Sequence, residues 1–235
     1  MVDIHIHVIP GIDDGSDNLE ESLSMLRIAA AQGVTSVVAT PHSSAFDFGY
    51  DQVFREHAAL QSAVSEQKIP VRISLGTEIL CYESDMDEII HYLQNGIYPT
   101  LNRTRYVLAE FFPNAAKKAI YYCLRRLQEA GFIPVLAHAE RYHNLDFKSA
   151  IELHSEGVLI QINVYSVKQE DYDRIKKRAR KYLEHRLVDF VGSDAHGMMH
   201  RPPSYTPGIE YLYSNYERAY VDMILQDNAA TLLKA

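Results

Sequence analysis

Val2-Asp3-Ile4-His5-Ile6-His7-Val8, followed by Ile12-Asp13-Asp14-Gly15, opens the chain with an apolar, β-rich run that carries two histidines and leads into a loop of paired carboxylates. Side chains two apart in a strand point the same way. His5 and His7 therefore present both imidazoles on one side, with Ile4 and Ile6 on the other. Alone, an H-x-H pair is an ordinary feature of strands, and Asp13-Asp14-Gly15 reads as a turn or a helix cap. The pair gains meaning because the same kind of residue recurs at the end of one β-rich run after another.

Working outward, further β-rich runs are read at 34–40, 72–77, 105–111, 134–139, 159–163 and 188–192, which with 2–8 makes seven. Amphipathic stretches separate them, the pattern of βα units around a parallel sheet or barrel. Asp17 with Glu20 resembles a capping box, Leu19, Leu23, Leu26 and Ala30 continue at helical spacing, and Gly33 ends the helix. A later helix places Ala116, Ile120, Cys123 and Leu127 on one face and closes near Gly131, which makes Cys123 a core residue. The segment 205–235 shows Tyr213, Tyr216 and Tyr220 at the spacing of a packed terminal helix. No linker-like stretch or fixed-period repeat interrupts the chain, so one domain over 1–235 is expected.

His42 follows the second run in Ala39-Thr40-Pro41-His42, and Glu78 follows the third in Leu75-Gly76-Thr77-Glu78. Glu110 lies late in the fourth, on the face of Leu108 and Phe112. His138 ends the fifth, and Asp194 and His196 follow the seventh. Six of the seven runs thus end in His, Asp or Glu, at the strand ends where barrels and open α/β sheets collect their ligand-binding groups. Imidazole with carboxylate and no thiolate suits Mn²⁺, Zn²⁺ or Fe. The set is large enough for more than one ion, and a shared carboxylate such as Glu78 would bridge neighbours. Paired metals stabilise attacking and leaving oxygens of an in-line displacement, so phosphoester hydrolysis is the expected chemistry.

Arg141 and Arg201, each just beyond an expected ligand, read as holders of phosphate oxygens by bidentate contact, with surface ion pairing as the other reading. Lys176-Lys177-Arg178-Ala179-Arg180-Lys181 is the strongest basic run, expected as a solvated helix face ahead of a docking patch for anionic partners. His57, His91, His143, His154, His185 and His200 have no matching partners and are read as structural.

Composition excludes several classes. The 235 residues carry 23 Lys and Arg against 31 Asp and Glu, a net charge of −8, which argues against broad nucleic-acid binding. No apolar run approaches the ~18 residues of a membrane span, and the start has no basic region before its apolar stretch; a cytoplasmic protein without membrane insertion is expected. Cys81 and Cys123 are too few and too far apart for a disulfide framework, and a cysteine phosphatase would need Arg six positions on, where Asp87 and Glu129 stand. Neither common glycine-rich phosphate loop is present. An amidohydrolase with a modified lysine bridge is disfavoured, because Glu78 and Glu110 stand at the corresponding ends.

These residues resemble the polymerase and histidinol phosphatase superfamily, with its H-x-H start and D-x-H finish, and more closely its tyrosine phosphatase branch, the bacterial CpsB/CapC-type phosphatases of capsule and exopolysaccharide loci. The likeness rests on 3–7 with 11–15, on Ala39-Thr40-Pro41-His42, on Ala137-His138-Ala139-Glu140-Arg141-Tyr142 and on Ser193-Asp194-Ala195-His196, supported by 176–180 and Arg201-Pro202-Pro203. It spans 2 to about 203 and departs from the branch at Ala139 and Ser43. The resemblance implies a distorted seven-stranded (β/α) barrel with up to three ions, Mn²⁺ first and Zn²⁺ or Fe as alternatives. His5, His7, Glu78 and Asp194 would hold one ion, Glu78, Glu110 and His138 a second, and Asp14 (or Asp13), His42 and His196 a third. It implies a protein-tyrosine phosphatase that uses metal-activated hydroxide, with Arg141 and Arg201 absorbing phosphoryl charge. Its substrate would be a tyrosine-phosphorylated protein, a cognate bacterial tyrosine kinase. A phosphoesterase acting on histidinol phosphate or another small phosphomonoester is the alternative.

Overall fold

The computed structural model describes residues 1–168 and 173–233. Among them, eight parallel strands alternate with helices: β1 (Val2–Ile6), α1 (Leu19–Ala31), β2 (Ser36–Ala39), α2 (Ser44–Glu66), β3 (Arg72–Leu75), β4 (Glu78–Leu80), α3 (Met86–Gln94), β5 (Tyr106–Glu110), α4 (Lys117–Glu129), β6 (Ile133–Leu136), α5 (Phe147–Ser155), β7 (Leu159–Asn163), α6 (Asp173–Glu184) and β8 (Phe190–Gly192). The strands form a sheet of order β1-β2-β3 and a sheet of order β4-β5-β6-β7-β8. Single parallel bridges join the two, between Ile6 and Ala195 at one side and between His42 and Glu78 at the other.

The expected seven runs become eight strands because the third divides. Residues Arg72–Leu75 pair with β2, whereas Glu78–Leu80 pair with β5. The chain changes sheet at Gly76, whose N–H donates to Ala39 O at 2.8 Å. A Cβ there would sit 2.8 Å from Leu101 Cδ2 and 3.1 Å from Val38 Cγ1, so only glycine lets the backbone pass. Glu78 thereby heads a new strand instead of trailing an old one.

Strands buried on both faces make the sheets hydrophobic through their width, as parallel sheets covered by helices require; every residue of β1 and β2 is buried. A smaller apolar cluster draws Val2 and Ile4 from β1, Val38 from β2, Leu108 from β5, Val135 from β6 and Phe190 from β8, so strands of both sheets feed one packed group. The helices pack their apolar stripes on the outer faces. In α4, Ile120, Cys123 and Leu127 are buried, as their spacing indicates.

Two boundaries differ from expectation. Asn18, not Asp17, caps α1: its Oδ1 accepts from the Glu21 N–H at 3.0 Å, and Glu21 Oε2 accepts from the Asp17 N–H at 2.8 Å. The reciprocal cap is shifted by one residue, and Leu19 is left exposed while Ser22, Leu23, Met25, Leu26 and Ala29 are buried. The single terminal helix is broken into α7 (Thr206–Asn215), α8 (Arg218–Asp222), a π turn at Met223–Asp227 and α9 (Asn228–Leu232). Extended backbone at Tyr216 separates the first two, so Tyr213 is exposed and Tyr220 buried instead of sharing a face; residues 234 and 235 lie outside the described residues. Among the described residues, no helix is long and apolar enough to cross a membrane.

Candidate metal centre

The carboxyl ends of the strands bring the expected ligands together. His5 lies in β1 and His7 just beyond it; His42 follows β2; Glu78 opens β4; Glu110 closes β5; His138 follows β6; Asp194 and His196 follow β8. His5, His7, Glu78, His138, Asp194 and His196 are buried. Close approach of β8 to β1 makes this possible, since a Cβ on Gly192 would stand 2.8 Å from His5 Cβ. Non-glycine residues in the left-handed region mark the same rim: His138 (φ 31°), Asp194 (φ 53°) and Arg201 (φ 48°). Such backbone costs about 1–3 kcal/mol per residue and persists where the surroundings over-determine it, above all at functional sites.

Glu78 is the hub. Its Oε1 lies 3.1 Å from His5 Nε2 and 3.1 Å from His138 Nε2. Its Oε2 lies 3.1 Å from His7 Nε2 and 3.2 Å from His42 Nδ1. Asp194 Oδ1 stands 3.4 Å from His5 Nε2, Glu110 Oε1 stands 3.4 Å from His138 Nε2, and Glu110 Oε2 stands 3.6 Å from His42 Nδ1. Asp14 Oδ1, exposed, faces His42 Nε2 at 3.3 Å and His196 Nε2 at 3.4 Å. Among the described residues, three overlapping groups each have ligand atoms close enough to share an ion: His5, His7, Glu78 and Asp194; His42, Glu78 and Glu110; and His7, Asp14, His42 and His196. The first coincides with the set implied by resemblance, and the third adds His7 to one. In the second, His42 takes the place assigned to His138.

The hydrogen bonds fix which imidazole nitrogens face inward. His5 Nδ1–H donates to Gln161 Oε1 (3.2 Å), His7 Nδ1–H to Asp13 Oδ2 (2.8 Å) and His196 Nδ1–H to the Asp194 carbonyl (2.9 Å). Each bond leaves the Nε2 lone pair aimed at the cluster, the arrangement that outer partners impose on metal-binding histidines. His5 Nε2 and His7 Nε2 meet at 3.4 Å, and the buried His196 Nε2 has no hydrogen-bond partner. Facing lone pairs and an orphaned buried nitrogen fit divalent cations among them. Asp13 stands outside this group: it braces His7 and accepts from the His42 and Gly15 N–H groups, whereas Asp14 faces the open nitrogens.

Without a cation the cluster compensates with protons. Burial opposes charge on His7, but hydrogen bonds to Asp13 and Glu78 outweigh it and raise its pKa well above the usual value. Burial likewise opposes charge on His138, yet Glu110 and Glu78 raise it to about 9. Asp194, against its burial, is held down to about 2 by the neighbouring imidazoles of His5 and His138. His196 goes the other way, to about 3, through burial and the adjacent His7. The carboxylates thus favour positive charge on the imidazoles of His7 and His138, with His196 the exception.

Arg141 and Arg201 converge on one atom, Asp194 Oδ2, at 3.2 and 2.8 Å. Asn163 Nδ2 donates to the same oxygen at 3.0 Å. Both guanidiniums keep a solvent-facing part and line a cleft with Tyr165. Sequence reading missed Gln161 and Asn163. They come from β7, the strand whose end offers no His, Asp or Glu, and their amides bind the His138 N–H, His5 and Asp194. Polar residues two apart in an otherwise apolar run were their only signal.

The basic run is not a solvated face throughout. Arg178 donates to the carbonyls of Glu140 and Tyr142, which flank Arg141, and Arg180 donates to Val167 O at 2.9–3.0 Å while stacking 4.3 Å from the Tyr211 ring centroid. Leu108 is buried, Glu110 partly buried and Phe112 exposed, and Glu110 and Phe112 line one cleft. The six histidines read as structural contribute to none of the ligand groups among the described residues. Burial pushes the Cys123 thiol up to about 12 and Cys81 well above its usual value, so neither offers a thiolate near neutral pH.

Parallel βα architecture with an imidazole and carboxylate cluster at the strand ends defines a metal-site α/β protein of the hydrolase kind. The chain matches, over residues 1–234, the family described as "Capsular polysaccharide synthesis, CpsB/CapC". It is 34% identical over 243 residues to the tyrosine-protein phosphatase CpsB of Streptococcus agalactiae serotype III, covering 100% of this chain and 98% of that one. It is 32% identical over 242 residues to the tyrosine-protein phosphatase CpsB of Streptococcus pneumoniae, covering 99% and 98%. Among solved structures it resembles, with a TM-score of 0.87 and 27% identity over 100% of this chain and 94% of the other, one of the YwqE (Bacillus subtilis) and CpsB (S. pneumoniae) structures described as unique metal-dependent tyrosine phosphatases. The protein belongs to the CpsB/CapC family.

Proposed function

We propose that the protein is a metal-dependent tyrosine phosphatase that removes phosphate from a tyrosine-phosphorylated protein in capsule or exopolysaccharide synthesis, its partner a cognate bacterial tyrosine kinase. The observation that carries the reading is Glu78, one buried carboxylate contacted by four inward-facing imidazoles. His5, His7, Glu78 and Asp194 would hold one ion, Glu78, Glu110, His138 and His42 a second, and Asp14, His42 and His196 a third. The nitrogen and oxygen donors suit Mn²⁺, with Zn²⁺ or Fe as alternatives. The chain acts as one catalytic unit in the cytoplasm. Its sheets close as a distorted barrel, in which 72–80 counts as one bent strand and the total returns to seven; the two bridges and the shared apolar cluster support that closure.

Bound ions supply Lewis acidity toward phosphoryl oxygens and lower the pKa of the attacking water. The chain's own residues do the rest. Arg141 and Arg201 turn from Asp194 to the non-bridging oxygens and neutralise charge that grows in the transition state. Asn163 keeps Asp194 oriented as they turn. A tyrosine phenolate, pKa ~10, leaves with little need of a proton, in keeping with the absence of an evident acid among the expected site residues. The test is phosphate release from a phosphotyrosine peptide and from histidinol phosphate by Mn²⁺-loaded protein. Turnover of the peptide is expected to dominate, whereas turnover of histidinol phosphate alone moves the same site to a biosynthetic role.

A further inference from the structure

We propose that the cleft beside His42 and Glu110 receives a cationic side chain, arginine or lysine, next to the phosphotyrosine of the substrate; the proposal rests on the phosphatase reading above. The cleft has a volume of about 700 Å³ and shares His42 and Glu110 with the ligand cluster. A residue adjacent to the reacting phosphotyrosine therefore reaches it without leaving the site.

Two features of the walls suit one kind of group. Tyr82 and Phe112 stand exposed, at 40% and 54%, with ring centroids 5.7 Å apart and planes at 59°. Asp47, Asp85 and Glu88 line the same cavity, while Arg126 pairs with Asp87 and Glu129 instead. Phenols hold two of these carboxylates in place without neutralising them: Tyr98 donates to Asp47 at 2.7 Å and Tyr92 to Glu88 at 2.5 Å. Aromatic faces beside carboxylates bind ammonium and guanidinium groups, and the same carboxylates repel a phosphate or an acidic side chain. The guanidiniums of Arg141 and Arg201 lie in a separate cleft of about 660 Å³ that contains none of these acids. Anion binding and cation binding are thus kept apart, which gives the substrate chain a direction across the site.

The experiment compares kcat/KM of the Mn²⁺-loaded protein for two phosphotyrosine peptides that differ only in Arg or Glu beside the phosphotyrosine, with phenyl phosphate as a third substrate. A preference of about tenfold for the Arg peptide, carried by KM, is expected from cation–π and ion-pair contacts of this exposure. Asp85→Lys with Glu88→Lys should abolish or reverse the preference, and the milder Phe112→Ala should shrink it severalfold. Equal kcat/KM for the two peptides, or a preference for Glu, in protein that hydrolyses phenyl phosphate overturns the cleft assignment and leaves the phosphatase reading standing. Failure to hydrolyse all three substrates with metal bound overturns the phosphatase reading, and the proposal with it.

Discussion

Glu78 spends two oxygens on four imidazoles, so its loss is felt at every ion it would bridge. Glu78→Gln keeps the shape and removes the charge; bound metal counted by elemental analysis should fall, and turnover should drop at least about 100-fold, beyond the 10–100-fold typical of outer partners. Asp194→Ala should also cost orders of magnitude, and near-normal turnover with full metal content would remove Asp194 from the ligand set. The gathering of these residues at the strand ends was legible in the sequence because period-two spacing and position at strand ends are local properties. The choice between Asp13 and Asp14 was not legible. Neighbours in a loop have no period, and only the fold shows that Asp13 braces His7 while Asp14 faces His42 and His196.

Among elements, β7 contributes most that the sequence concealed. Asn163→Ala should leave Asp194 with one fewer orienting bond and weaken metal binding about 10–100-fold, measurable by titration of metal into stripped protein; unchanged affinity would mean that the Asn163 contact is incidental. In α6, Arg178 secures the turn that carries Arg141. Arg178→Ala should raise KM for a phosphomonoester while metal content stays full, a split that a general loss of stability would not give. The basic run looked like a solvated face because charge alone does not reveal which side of a helix meets a loop. The seven expected runs located the strands, and the third divides at Gly76, where the chain changes sheets through contacts with Leu101 and Val38 that are remote in sequence.

At the scale of the whole molecule, stability should carry the signature of a site built for cations. In the metal-free protein His138 has a pKa of about 9 against an unfolded value of 6.5, and His7 is raised as well. A raised pKa stabilises the fold below the unfolded value and loses that contribution as pH climbs through the folded value. Metal-stripped protein should therefore melt at progressively lower temperature between pH 6.5 and 9. His196, held to about 3, acts in the opposite sense and lowers stability as pH falls below 6.5. Metal-loaded protein should melt higher throughout, because an ion that binds only the folded chain stabilises it by mass action, and it should lose the decline above pH 6.5. Differential scanning calorimetry on both forms checks this, and parallel curves would contradict it.

The central claim is that one cluster at the strand ends both binds metal and hydrolyses phosphotyrosine. The direct test titrates Mn²⁺ into metal-stripped protein and follows phosphate release from a phosphotyrosine peptide together with bound metal in the same samples. The account predicts no release under chelator, turnover that rises as more than one ion binds per chain, and no recovery in Glu78→Gln. Full turnover in protein freed of metal, or full metal binding in Glu78→Gln with turnover intact, would contradict it.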